Sequence, residues 1–377
     1  NCIAIGTGAL YMVDRDANTA AAENNIAIGH MAIKIGTATG NGNTAIGTQA
    51  LEDLTSGTDN VALGSQAAQN LTTAANTIAI GHDAMSVGTT SGTNNIAIGQ
   101  EAGKALVAGL ENIFIGSMAG VASATGEHNV AIGHDAFAVS AADGDRNVAI
   151  GFQSMTAGLV IGADNVAIGS NALDNLTSGT DNIAIGSNAG DGTTTAADTI
   201  AIGHDAMSGA ITTGNNNIAI GKLALKLAVG ASNNIGIGYR ALRDTSDTAA
   251  RNIAIGDQVA FDGLVTGTDN IIMGTAAAQQ AAGVASRNII MGYSSSAKIT
   301  TGTDNIILGS HAGSTLGSAV TTNTNNILIG TQASASSAID NAYAIGNQAS
   351  VTQADSMILG GQTGKRFTVG IGGITAP

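Results

Sequence analysis

The chain has 377 residues, 53 of them Gly and one Pro, with no Trp and only 2% aromatic residues. A compact core of that size is normally filled by large side chains, so this composition argues against two or three globular domains and for a thin interior of Ala, Ile, Val and Leu. The net charge of −14 argues against nucleic acid, which needs clustered Lys and Arg, and no apolar run approaches the roughly 18 residues of a bilayer span.

Cys2 is the only cysteine, so no intrachain disulfide can form. Charged residues are only 11% of the chain, which leaves Asn, Thr, Ser and Gly to keep the surface wet. The longest apolar tract, Leu223 to Ala231, is interrupted by Lys226 and Gly230.

Taken in order, residues 1–28 read as a first coil with an enlarged loop, Tyr11-Met12-Val13-Asp14-Arg15-Asp16, between Gly6 and Gly29. The chain opens at Asn1 already inside a repeat unit, so it reads as an excerpt, with any signal peptide, anchor or tip domain outside it. Residues 29–309 carry the regular repeat. Aligned on the Gly that ends each N-[IV]-A-I-G stretch, the anchors run from Gly29 and Gly47 to Gly292 and Gly309 at spacings of 17 or 18. With Gly6, Gly330, Gly346 and Gly360 there are 21 units; Asn stands four residues before the anchor in 16 of them, and Ala three residues after it in 17. Regularity of this kind is the signature of a solenoid. Residues 310–360 are irregular coils whose anchors fall 21, 16 and 14 residues apart, and 361–377 read as a transition out of the solenoid.

Each unit reads as one coil. In Asn95-Ile96-Ala97-Ile98-Gly99 the two Ile fall on one face and Asn, Ala and Gly on the other, the period of a strand. A second short extended piece is expected after it, at Gln100-Glu101-Ala102 or His82-Asp83-Ala84-Met85. Turn chemistry closes the coil, as in Thr55-Ser56-Gly57-Thr58-Asp59-Asn60, Thr266-Gly267-Thr268-Asp269-Asn270 and Thr301-Gly302-Thr303-Asp304-Asn305. Such coils stack as parallel strands roughly 4.8 Å apart, giving rows of Ile, Ala and Asn. The Asn amides are expected to bond along the stack, and 21 coils would make a rod on the order of 100 Å. Gly at the anchor suits a sharp turn or a close backbone approach. The fold class expected is all-β, a single-stranded parallel β-solenoid. Leu51 to Gly103 also matches Leu173 to Leu225, as in LEDLTSGTDNVALG against LDNLTSGTDNIAIG, an offset of 122 residues or seven coils. Duplication of this kind lengthens a rod without changing its section.

The units NNIAIGHMA, DNVAIGSNA and NAYAIGNQASVTQADSMILG resemble the head repeats of YadA-like trimeric autotransporter adhesins. That resemblance covers nearly the whole chain and implies a left-handed parallel β-roll with three chains side by side. The family's unit is shorter, and the longer T-[ST]-G-T-[DN]-N turns here look more like bacteriophage tail-fibre shafts. The terminal VGIGGITAP is similar to the segment that precedes a self-cleaving chaperone domain in such fibres, with Gly373 and Ile374 where Thr often stands. Independently, 44% hydrophobic content is high for a solitary thin coil, so a second apolar row is expected to pack against other copies. Whether the Ile or the Ala row faces the common axis stays open at this point.

His30, His82, His134 and His204 follow anchor glycines; a trimer could gather three into a metal site, but Ser, Thr, Gln, Lys or Tyr fill the position elsewhere, and exposed neutral His is the simpler reading. Asp59, Asp164, Asp181, Asp269 and Asp304 precede the repeat Asn and could offer Ca²⁺ oxygens, although Asx-turn capping explains them without a metal. Gly360-Gly361-Gln362-Thr363-Gly364-Lys365-Arg366 lacks the spacing and context of a phosphate loop. Thr72-Thr73, Thr89-Thr90 and Thr212-Thr213 lie in variable turns, not in an ice-binding ladder. No carboxylate pair breaks the repeat as a glycosidase would require. The expectation is therefore no enzyme, no cofactor, no metal and no catalytic residue. The chain is expected to be a shaft or head segment of an extracellular fibre, a bacteriophage tail fibre or similar appendage, whose partners are its own copies and a cell-surface glycan or protein receptor. The alternatives are the passenger head of a trimeric autotransporter adhesin and, behind it, a polysaccharide-degrading tailspike.

Overall fold

The computed structural model describes residues 1–11, 23–34, 40–87, 91–138, 144–156, 160–209, 213–244, 249–260, 267–279, 285–296, 302–313, 323–336 and 339–361. The chain divides into two compact units, 1–198 and 199–377. The first holds eleven three-residue strands, from Ile3–Ile5 to Ile183–Ile185, each parallel to the next. The second holds ten such strands, from Ile200–Ile202 to Met357–Leu359, plus a short ladder of Ser334–Ala335 on Ser350–Val351. No helix occurs among the described residues. Register is like on like: Ile78 opposes Ile96, Ala79 opposes Ala97 and Ile80 opposes Ile98. Each unit is therefore a parallel β-solenoid of the expected period.

The strand's period of two decides what lies inside. The central residue, usually Ala, is buried, as at Ala79, Ala97, Ala131 and Ala149, and so is the Asn that precedes the strand. A buried amide must find partners, and stacking supplies them. Asn147 Oδ1 accepts from the backbone N–H of Asn165 at 3.0 Å and from its Nδ2 at 3.1 Å, while Asn147 Nδ2 donates to Gly162 O at 2.9 Å. The same pattern runs through Asn25, Asn43 and Asn60 in the first unit and through Asn252, Asn270, Asn288 and Asn305 in the second. Asn fits because its one short side chain carries both a donor and an acceptor.

The anchor glycines answer a steric demand. Gly116 has φ +134°, and a Cβ there would lie 2.4 Å from the carbonyl oxygen of Gly133 in the next coil. That conformation is essentially restricted to Gly, and the contact leaves no room for a methyl group. Coils can approach to strand spacing at this corner only without a side chain.

The second extended piece expected after the anchor is absent from the long coils. In its place is a turn with positive φ at the second and fourth residues past the anchor, for example Asp83 (59°) and Met85 (51°), or Asp135 (55°) and Phe137 (53°). The alternation aims successive N–H groups at opposite neighbours: Glu101 N donates to His82 O of the preceding coil at 2.9 Å, and Met85 N to Ala102 O of the following coil at 3.0 Å. It also buries two consecutive residues, Ala84 and Met85, which a period-two strand cannot do. The expected second strand does exist in the last short coils. There Ala333 and Ala335, like Ala349 and Val351, are buried on either side of a more exposed Ser334 or Ser350, and the segments pair as strands.

Interior volume is shared between the strand centre and that fourth residue. Where Phe114 replaces the central Ala, the facing turn positions are Gly103 and Gly120, and a Cβ on Gly120 would meet the Phe114 ring at 2.6 Å. In the second unit Ile272, Ile290 and Ile307 occupy the centre and are buried, while the turn positions shrink to Ala260, Ala278, Ser296 and Gly313. Gly236 reverses the arrangement, with Leu225 and Leu242 in the turns. Close packing of this kind explains why the substitutions come in sets.

Candidate self-association face

With Ala and Asn turned inward, the outer two residues of every strand point away from the core. They are Ile or Val at most positions, for example Val166 and Ile168, or Ile183 and Ile185. The question of which row is free for a partner is thereby resolved: the Ala row is interior, and the Ile rows are outside. Ile46 keeps 41% of its surface exposed and Ile185 39%. Summed over 22 outward positions in the first unit, this is on the order of 1,000 Å² of apolar surface, above the few hundred typical of a monomer. The second unit carries the same two columns, with Ile271, Met273, Met291 and Leu308 among them. Among the described strands neither outward column holds a charged side chain, which suits packing against another apolar face.

Beside this face runs the row that follows the anchor glycines. His82, His134 and His204 lie here, about half exposed, each facing the Asp after it; the His134 Nδ1 to Asp135 Oδ2 distance is 3.1 Å and that of His204 to Asp205 is 3.0 Å. His30 is exposed in the same row. Among the described residues no three His, Cys, Asp or Glu side chains come together in a way that could hold a metal ion.

The Asp residues that precede the repeat Asn take a different part. They adopt left-handed backbone, φ 57° to 63° at Asp59, Asp164, Asp181, Asp269 and Asp304, a conformation Asp and Asn tolerate better than most residues. Three of them bind an Arg one coil earlier in the chain. Arg146 donates to both oxygens of Asp164 at 2.7 and 2.8 Å, Arg251 to those of Asp269, and Arg287 to those of Asp304. The hydrogen bond from Arg251 lowers the Asp269 carboxyl to about 2, and the same cause lowers Asp164 and Asp304. The ion-pair ladder was not foreseen; its signal was Arg in the Asp position at Arg146, Arg251 and Arg287, next to coils that hold Asp there.

Gly360 is the last described anchor, with φ +106°. Residues 362–377, the loop from Met12 to Asp16, and Thr89, Thr90, Thr212, Thr266 and Thr301 lie outside the described residues. No described helix is long and apolar enough to cross a membrane. No protein-family model matches the chain, and no curated protein matches it.

Proposed function

We propose that this chain is a structural segment, shaft or head, of an extracellular fibre, assembled as a homotrimer through its Ile face. The observation that carries the reading is the pair of outward Ile and Val columns on a solenoid whose interior is already filled. An apolar face repeated at every coil serves continuous lengthwise packing and has no evident use in a small-molecule site. The repeat pattern resembles that of trimeric fibres, and the long 17–18-residue coils favour a bacteriophage tail fibre or similar appendage that projects a receptor-binding region. The second reading, the passenger head of a trimeric autotransporter adhesin, is favoured by the short coils between Gly330 and Gly360, which carry a second strand.

Light scattering on the purified chain tests the proposal. Three times the single-chain mass supports it, and a stable single-chain mass at micromolar concentration contradicts it.

A further inference from the structure

The outward Ile and Val columns are nearly alike at every coil, so sliding one copy along another by one coil, about 4.8 Å, again sets apolar on apolar. Those columns can hold copies together without fixing their relative level. The two rows that border them are not uniform. On one side stands the residue before the repeat Asn, and on the other the residue after the anchor Gly; between Gly6 and Gly346 neither row holds a buried residue.

Within each coil the two rows match. The three coils with Arg in the first row hold Phe, Asp or Tyr in the second: Arg146 with Phe152, Arg251 with Asp257 and Arg287 with Tyr293. Over those coils Phe and Asp occur in the second row nowhere else, and Tyr only once more, at Tyr239 opposite Asn233. The seven coils with Asp or Glu in the first row all have Ser, Thr or His in the second, as Asp181 with Ser187 and Asp304 with Ser310. No coil holds two carboxylates, or two Lys or Arg side chains, in its two rows. Six residues of nearly extended chain separate the members of each pair, up to roughly 20 Å, so contact within one chain does not call for the matching. Contact between copies does. Rotation about an axis parallel to the stack brings the first row of one copy against the second row of the next, coil for coil.

We infer that these rows are complementary contacts with a second copy of this chain, in which Arg146 stacks on the partner's Phe152, Arg287 on the partner's Tyr293, and Arg251 pairs with the partner's Asp257, and that they set the level at which copies meet. The pairing rests on the self-association proposed above and supplies what the Ile columns lack. Phe152 and Tyr293 keep 52% and 56% of their surface exposed, and Asp257 is exposed. The three Arg are held in place by the Asp of the next coil, through Nε and Nη2. Those bonds use the edge of the guanidinium, whereas a ring takes its flat face. Opposite the first-row carboxylates, hydroxyl and imidazole groups can donate hydrogen bonds. A slip of one coil up or down would set Arg251 against Tyr239 or Thr275 in place of Asp257, and Arg146 against His134 or Ser170 in place of Phe152.

Disulfide trapping in the full chain, in a Cys2→Ser background, tests the pairing. A disulfide needs Cα atoms about 4.4–6.8 Å apart, so two thiols in one coil cannot join within a chain, and a one-coil slip takes an opposed pair out of range. Arg251→Cys/Asp257→Cys should oxidise to covalent trimers at least tenfold faster than the displaced pairs Arg251→Cys/Tyr239→Cys and Arg251→Cys/Thr275→Cys, while either single-thiol chain stays uncrosslinked. Asp181→Cys/Ser187→Cys, which removes no ion pair among the described residues, should behave alike against Asp181→Cys/Ser170→Cys and keeps the test decisive if loss of Arg251 weakens assembly. Light scattering on the Cys2→Ser chain separates the two proposals. A single-chain mass overturns self-association itself. A trimeric mass with no preference for the same-coil pairs, or with single-thiol chains crosslinking as fast, overturns the row pairing and leaves the Ile contact standing.

Discussion

Replacing Asn147 by Leu keeps the side chain's shape and removes its polar ends. Asn147 is 1% exposed, so water cannot substitute for the lost partners. Its Oδ1 accepts from Asn165 N at 3.0 Å and its Nδ2 donates to Gly162 O at 2.9 Å; both groups are orphaned by the change. Asn165 Nδ2 also loses a bond but keeps Ala163 O and Gly179 O, so it is not counted. Two buried unsatisfied groups at about 1–3 kcal/mol each give a loss of about 2–6 kcal/mol. The added apolar burial offsets part of that, on the order of 1–2 kcal/mol. Urea unfolding of Asn147→Leu against the parent chain reads the net change, and hydrogen exchange at the Asn165 amide reports where it arises. A loss under about 0.5 kcal/mol with unchanged Asn165 protection would refute the view that the Asn ladder holds coils together.

Gly116→Ala places a Cβ 2.4 Å from Gly133 O in a backbone conformation essentially reserved for Gly, and strain alone costs about 1–3 kcal/mol; circular dichroism and urea titration should show a strongly destabilised or unfolded chain. Phe114→Ala should cost about 3–5 kcal/mol, and Gly120→Leu alone should also destabilise because its Cβ meets the Phe114 ring. The double variant restores the common pairing of central Ala with a large turn residue, so a double-mutant cycle should show a coupling above about 2 kcal/mol. The Asp269 carboxyl, at about 2 with Arg251 bonded, lies below its unfolded value. Its contribution to stability is therefore present above about pH 4 and lost as the pH falls towards 2. In Arg251→Gln the Asp269 titration, followed by carboxyl-carbon NMR, should move up towards the ordinary carboxylate range, with a small, salt-sensitive change in stability because the pair is exposed.

The coil and its strand were legible in the sequence because Ile-Ala-Ile alternates and recurs at 17 or 18 residues, and the Asn row announced its own ladder. The turn after the anchor was misread as extended, although the residues contain the answer. Ala84-Met85 and Ala172-Leu173 are consecutive apolar pairs, which a strand would split between faces, whereas Ala333-Ser334-Ala335 alternates and does form a strand. The orientation of the Ile rows could not be read from one coil, since either face of a three-residue strand can line a thin interior. It becomes decidable from volumes: the buried centre is shared with residues such as Leu51, Met85 and Phe137, which fill the interior beside Ala and leave no space for two further Ile.

Site-specific crosslinking tests whether copies of this chain meet through the outward Ile columns. In a Cys2→Ser background, Ile132→Cys places a single thiol on the Ile face, and Lys104→Cys places one on the turn side of a coil. Opposed sheet faces pack about 10 Å apart, within reach of a short bismaleimide. Rapid covalent dimer formation from Ile132→Cys, with Lys104→Cys remaining single, is the predicted result. The reverse pattern, or no crosslinking from either position in a sample of single-chain mass, would contradict it.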